Sequence, residues 1–138
     1  MHFISYDLYD GHAKILVVEH PLTSQDLDAI RRQLAVLARR KQARVVEWSR
    51  EMPTDWRPHQ VRNPSSDMPF TEVGAWHLIA DLLENGHPIE EIVLRKPPGK
   101  RAYVLRVELE PTTPMLYIKL QLGSHKVIGR SFHYSTSE

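Results

Sequence analysis

Two stretches near the C-terminus, Tyr103-Val-Leu-Arg-Val-Glu-Leu109 and Leu116-Tyr-Ile-Lys-Leu-Gln-Leu122, decide the fold. In each, every second residue is large and apolar, which is the period of a strand with one buried face. Joining them through Pro111-Thr-Thr-Pro114 sets Leu109 against Leu116 and Val107 against Ile118, so the apolar faces agree. The same register brings Arg106 opposite Lys119 and Glu108 opposite Tyr117. A three-residue loop at 123–125 leads into Lys126–Tyr134, which sets Leu120 by Ile128, Leu116 by Phe132, Tyr117 by Ser131 and Met115 by His133. Arg130 then falls on the apolar side. A bulge at Gly129 relieves that conflict and moves His133 relative to Tyr117.

Working outward, a further strand at 91–95 precedes the tight loop Lys96-Pro-Pro-Gly-Lys100, completing a four-stranded meander. Before it, the spacing predicts a helix from Glu72 to Glu84, capped by Thr71 and ended by Asn85-Gly86. Its buried stripe is Val73, Trp76, Ile79, Ala80 and Leu83, with His77 as a packing residue beside it. Residues 51–69 carry Pro53, Pro58, Pro64 and Pro69 and no apolar period, so little backbone pairing is expected there. That segment reads as a linker, or as a lid over a site. A short strand at 44–48 and a helix at 24–41 come earlier, the helix capped by Thr23 and burying Leu27, Ile30, Leu34 and Leu37. Asp10-Gly11 is a two-residue turn signal that predicts an N-terminal hairpin pairing Leu8 with Ala13, Tyr6 with Ile15 and Ile4 with Val17. The order implies an α+β fold: an antiparallel β-meander with two helices packed on one face, preceded by a β-hairpin, in a single domain over residues 1–138. Within it lie three parts: the hairpin, helix and strand at 1–50, the proline-rich loop at 51–69, and the helix and four-stranded sheet at 70–138.

The 138 residues include no cysteine, which excludes a disulfide framework, thiolate catalysis and Cys-ligated metal. The eight histidines show no ligand spacing, so neither metal nor cofactor is expected. The longest apolar run is Leu34–Ala38, too short for a membrane span, and a cytoplasmic protein with no membrane partner is the expectation. The net charge of +1 hides a polarity. Residues 1–94 hold 10 basic and 14 acidic side chains, whereas residues 95–138 hold 8 and 3. A basic C-terminal third points to an anionic partner such as RNA.

The sheet face turned away from the helices carries Arg106, Glu108, Tyr117, Lys119, Gln121, Ser131 and His133. Like charges opposite one another on a sheet are destabilising, so Arg106 facing Lys119 asks for a phosphate between them. Glu108 and His133 supply a base for a ribose 2′-hydroxyl and an acid for the leaving 5′-oxygen, with Tyr117 orienting the phosphate or substituting for the base. That chemistry uses no metal. Arg130, Ser131 and Gln121 join these residues as candidates for substrate binding. So do Lys96, Lys100 and Arg101 in the basic loop, which reads either as a phosphate clamp or as a solvated hairpin tip.

Leu116-Tyr-Ile-Lys119 followed by Val127-Ile-Gly-Arg-Ser-Phe-His133 resembles the last two strands of small bacterial ribonuclease toxins of the motility quorum-sensing regulator type, within the RelE-like group. The resemblance implies two helices followed by an antiparallel meander, RNA cleavage without metal, and a cognate antitoxin as partner. It places the family's tyrosine and lysine on Tyr117 and Lys119, and its final basic residue on His133. Residues 1–23 and the proline-rich segment have no counterpart in the short members. Two functions therefore stand: a metal-independent endoribonuclease acting as a toxin, and a non-catalytic module, for example an immunity or regulatory protein, whose basic sheet holds RNA or a protein.

Overall fold

The computed structural model describes residues 22–135 and the backbone of Ser5–Tyr6; the expected pairings around Asp10-Gly11 lie outside them. Helix α1 (Ser24–Arg39) opens with a capping box, in which the Thr23 hydroxyl accepts from the Asp26 N–H at 3.0 Å and the Asp26 carboxylate accepts from the Thr23 N–H at 2.9 Å. It ends two residues before Lys41, because the chain turns extended at Arg40 and enters a 3-10 turn at Lys41–Ala43. Helix α2 (Glu72–Glu84) has the expected Thr71 cap. Its buried side is Ala75, Trp76, Ile79, Ala80 and Leu83. Val73 and His77 both face solvent, so Ala75 takes the place in the stripe expected of Val73, and His77 is not a packing residue. Arg39 bridges Asp81 and Glu84, tying α1 to α2 and holding the Glu84 carboxyl below its ordinary range.

The meander consists of β6 (Glu90–Val93), β7 (Arg101–Val107), β8 (Leu116–Gly123) and β9 (Lys126–Tyr134), neighbours antiparallel throughout. β1 (Ser5–Tyr6) adds to β6 in parallel. Tyr103, Leu105, Val107, Leu116, Ile118, Leu120, Val127 and Phe132 meet both helices in one core. The fold is thus α+β with both helices on one face.

The registers differ from expectation by two residues between β7 and β8, and between β8 and β9 by one residue on the turn side of the bulge and two beyond it. β7 stops at Val107, which pairs with Leu116, and Arg106 stands opposite Tyr117 rather than Lys119. The connection runs over eight residues instead of four, with prolines at 111 and 114 that cannot donate to a ladder. Lys119 faces Val104, so Arg106 and Lys119 do not stand opposite one another. At the other end, β8 and β9 join through Ser124-His125, with His125 in the left-handed region at φ 58°. Gln121 pairs with Ile128 and Leu120 with Gly129; then the register shifts, and Lys119 pairs with Ser131, Ile118 with Phe132 and Tyr117 with His133. Arg130 is the extra residue of a bulge beside Gly129.

The outer edge of β9 is covered by the short strand expected at 44–48 and by part of the proline-rich stretch. β2 (Arg44–Val45) pairs in parallel with Val127–Ile128, and is two residues long rather than five. β3 (Asp55–Trp56) pairs in parallel with Ser131–Phe132, from within the proline-rich stretch. That stretch continues through a 3-10 turn at Pro58–Gln60 and a small antiparallel pair, β4 (Arg62–Asn63) with β5 (Met68–Pro69). Its backbone is therefore paired, contrary to the reading of a linker. The reason is Trp56. Its indole packs at a tilt against Trp76 and Phe132, with ring centres 5.1 and 5.5 Å away, and its Nε1 donates to Glu72. Such an aromatic anchor supplies the apolar burial that the surrounding polar residues lack.

Trp56 lies so close over Gly129 that a Cβ there would sit 2.5 Å from Cζ3 of the indole. Gly129→Ala should therefore lower stability by about 1–3 kcal/mol, read from urea unfolding. In a double-mutant cycle with Trp56→Leu the loss in the double variant should be much smaller than the sum of the single losses, because removing the indole opens the space. Full additivity would show that Gly129 matters for another reason.

Candidate functional site

The face of the sheet away from the helices divides in two. Toward β6 it is apolar, with Ile92, Leu94, Ala102 and Val104 buried and Tyr117 packed against them. Toward β9 it is polar, and the polar side chains form rows set by strand pairing. The first row is Arg106, Tyr117 and His133. The guanidinium of Arg106 lies 5.3 Å over the Tyr117 ring, and the Tyr117 and His133 rings stack with centres 5.5 Å apart and planes at 29°. Lys119 and Ser131 form the next row, and Gln121 with the bulged Arg130 the third.

His133 has an oxygen at each ring nitrogen. Nδ1 is 2.8 Å from the Tyr134 carbonyl and Nε2 is 3.4 Å from Oδ2 of Asp55. Asp55 is also paired with Arg57. The carboxylate beside His133 is thus Asp55, not Glu108. Glu108 lies just past the end of β7, exposed, because β7 ends sooner than its alternation suggests.

Arg130 is 3% exposed, on the polar side rather than the apolar one. Its Nη1 donates to Gln121 Oε1 at 2.7 Å, its Nη2 to the Lys96 carbonyl at 2.6 Å, and its Nε to the Pro53 carbonyl at 3.1 Å. All three acceptors are neutral, and burial pushes the pKa of the guanidinium down. A cleft of about 420 Å³ opens over it, lined by Asp55, Arg95, Lys96, Lys119 and Ser131 with Pro53, Thr54 and Leu94. Gln121 and Ser131 are buried. The loops at 94–100 and 49–54 wall this part of the sheet, each through a carbonyl held by Arg130.

Of the residues singled out from sequence, Tyr117, Lys119, His133, Arg106, Ser131, Gln121 and Arg130 share this face, and Lys96 lines the cleft from the loop beside it. Lys100 and Arg101 do not line the cleft; Arg101 sits on the register of Val93, with Glu91 3.9 Å away. Sequence reasoning missed Asp55 and the wall at Pro53–Thr54. The signal that could have found them is the tryptophan next door, which had to be buried somewhere. Among the described residues no three His, Asp or Glu side chains converge as metal ligands. The chain matches no family model, no curated protein and no solved structure.

The Asp55 contacts lie at the surface, and exposed ion pairs are worth little. Asp55→Asn should therefore change unfolding free energy by less than about 1 kcal/mol while altering the ring-nitrogen shifts of His133 in an NMR spectrum. A larger loss of stability would make Asp55 a structural residue.

Proposed function

We propose that this protein is a metal-independent endoribonuclease acting on the sheet face that holds Tyr117, Lys119 and His133, as in the toxin of a bacterial toxin–antitoxin system. The observation that carries this reading is the row in which His133 stacks on Tyr117 with Asp55 at its Nε2, one pairing step from Lys119 at the cleft. An imidazole fixed between a carboxylate and a carbonyl has the orientation that proton transfer requires. The resemblance of 116–119 and 127–133 to ribonuclease toxins agrees with it.

The geometry refines the roles. In-line attack of a 2′-hydroxyl requires groups on opposite sides of the phosphorus. Asp55 and His133 are too close together to flank it, so they act on one side of it: the Tyr134 carbonyl holds the ring at Nδ1, Asp55 holds Nε2 until substrate enters, and the Nε2 proton then passes to the leaving 5′-oxygen. Lys119 is diagonal to His133 across the β8–β9 pair, about 7–8 Å at the backbone, a separation that a phosphate can bridge. Its ammonium meets the charge that develops on the phosphorane. Tyr117, opposite His133 and stacked on it, orients the phosphate and relays the 2′-hydroxyl proton to solvent as the 2′-oxygen attacks. Glu108 has no part in this arrangement. A cognate antitoxin protein is the partner this reading entails.

Cleavage of RNA in excess chelator should fall by about 10²–10⁴-fold in His133→Ala, with the fold intact by circular dichroism. Lys119→Ala should lower turnover and weaken binding together, and flatten the salt dependence. Asp55→Asn should lower kcat with little change in KM. Expression of the wild type should arrest bacterial growth, and His133→Ala should not. A wild-type protein that leaves RNA intact, free or on ribosomes, would sink the enzymatic reading in favour of an RNA- or protein-binding module.

A further inference from the structure

The buried cation of the bulge is not needed for the chemistry at His133, yet it is costly to keep. A guanidinium removed from water loses hydration that neutral carbonyls only partly replace. Arg130 has three such carbonyls and, among the described residues, no carboxylate bonded to it. It carries five N–H donors, and these three bonds leave two. The cleft above has Arg95, Lys96 and Lys119 on its walls and one carboxylate, Asp55, which is already engaged by Arg57 and His133. Positive charge is thus built in at the floor and repeated on the walls.

The spacing along β8 gives that charge a meaning. Lys119 and Gln121 are one face repeat apart, about 6.6–6.8 Å along the strand. Gln121 holds Arg130, so the guanidinium lies one repeat beyond the row where the scissile phosphate would sit. Successive phosphates of an extended single strand recur on that scale. The three rows then run in one direction, from His133 and Tyr117, past Lys119, to Arg130 and the basic loop. Pro53 and Leu94 on the walls offer apolar contact to a sugar or base between the two phosphates.

We propose that the cleft over Arg130 is a second phosphate subsite, which takes the phosphate next to the scissile one in a single-stranded RNA lying along β8 toward the 94–100 loop. This rests on the ribonuclease reading for the identity of the strand, but its test does not depend on cleavage. The ligands are 2′-O-methylated oligonucleotides, which cannot be cut through the 2′-hydroxyl: a dinucleotide with one phosphate and a trinucleotide with two. Binding is read by NMR, following the Arg130 Nε–H resonance, with inorganic phosphate as a third titrant.

The trinucleotide should bind about tenfold more tightly than the dinucleotide, as a charge-assisted contact to one more phosphate warrants. It should also move the Arg130 resonance, as should inorganic phosphate at higher concentration. The tenfold step should disappear in Arg130→Lys, which keeps the charge but loses the planar fork, and shrink in Lys96→Ala, an exposed position whose backbone carbonyl still accepts from Arg130. Equal affinity of the two oligonucleotides for the wild type would overturn the subsite. So would a step that survives in both variants, or an Arg130 resonance that answers to a peptide carboxylate and not to phosphate. If the wild type shows the step but does not cut RNA, the subsite stands and the catalytic reading falls. If it cuts RNA without the step, the reverse holds.

Discussion

Val127 and Phe132 are both fully buried in the helix-side core, and they are five residues apart on one strand. Side chains alternate with a period of two, so residues at an odd separation cannot share a face unless the strand gains a residue. The bulge at Arg130 is that residue, and the core requires it. Everything distinctive on the opposite face follows from it. Gly129, on the inner side, leaves the space into which Trp56 packs. Arg130 turns outward and is walled in by the chain segments that its own hydrogen bonds hold.

The bulge also explains how β9 is edged. A long bare edge strand invites pairing with other chains. Here two short parallel strands cover it on either side of the irregularity, β2 before it and β3 after it. The connection between them passes over the bulge and contributes the Pro53 carbonyl to Arg130. A bulged residue has no ladder partner, so its side chain is free to bond to loops, and both neighbouring loops are recruited in this way. The polar site is therefore assembled from three distant parts of the sequence, at 53–55, 94–96 and 117–133, with the strand pairing supplying the order.

What was legible in the sequence was whatever depends on period and local capping. Both helices, the faces of β7 and β8 and the Thr23 and Thr71 caps follow from side-chain spacing alone. The conflict at Arg130 was visible too, together with the bulge beside Gly129 that resolves it. What failed depended on non-local energetics. The register of β7 against β8 was set from the shortest loop between two alternating runs, but Leu109 leaves the ladder and packs against the core from outside it. That two-residue slip kept every apolar face correct, since it preserves parity, while moving every cross-strand partner. Hence the helix side was read well and the site was not: Arg106 met Tyr117, and Glu108 lost its place. Asp55 was hidden for a different reason. A two-residue parallel strand carries no period, and only the burial of Trp56 fixes where it lies.

The place where the local pattern contradicts itself is also the place where the polar cleft forms. An arginine between Gly129 and Ser131 in an otherwise alternating strand is a poor choice for stability, since an apolar residue of similar volume would spare the desolvation of a charge. A fold shaped only by burial would satisfy the parity of Val127 and Phe132 with an unremarkable residue at the bulge. Instead the extra position holds the one side chain that is always cationic, and the loops around it leave an opening rather than a seal. Departures from local consistency of this kind concentrate at functional sites, where stability is given up for a group in a fixed place. The bulge reconciles the two demands on β9: its inner side completes the core, and its outer side holds a charge at a depth and spacing that strand geometry alone determines.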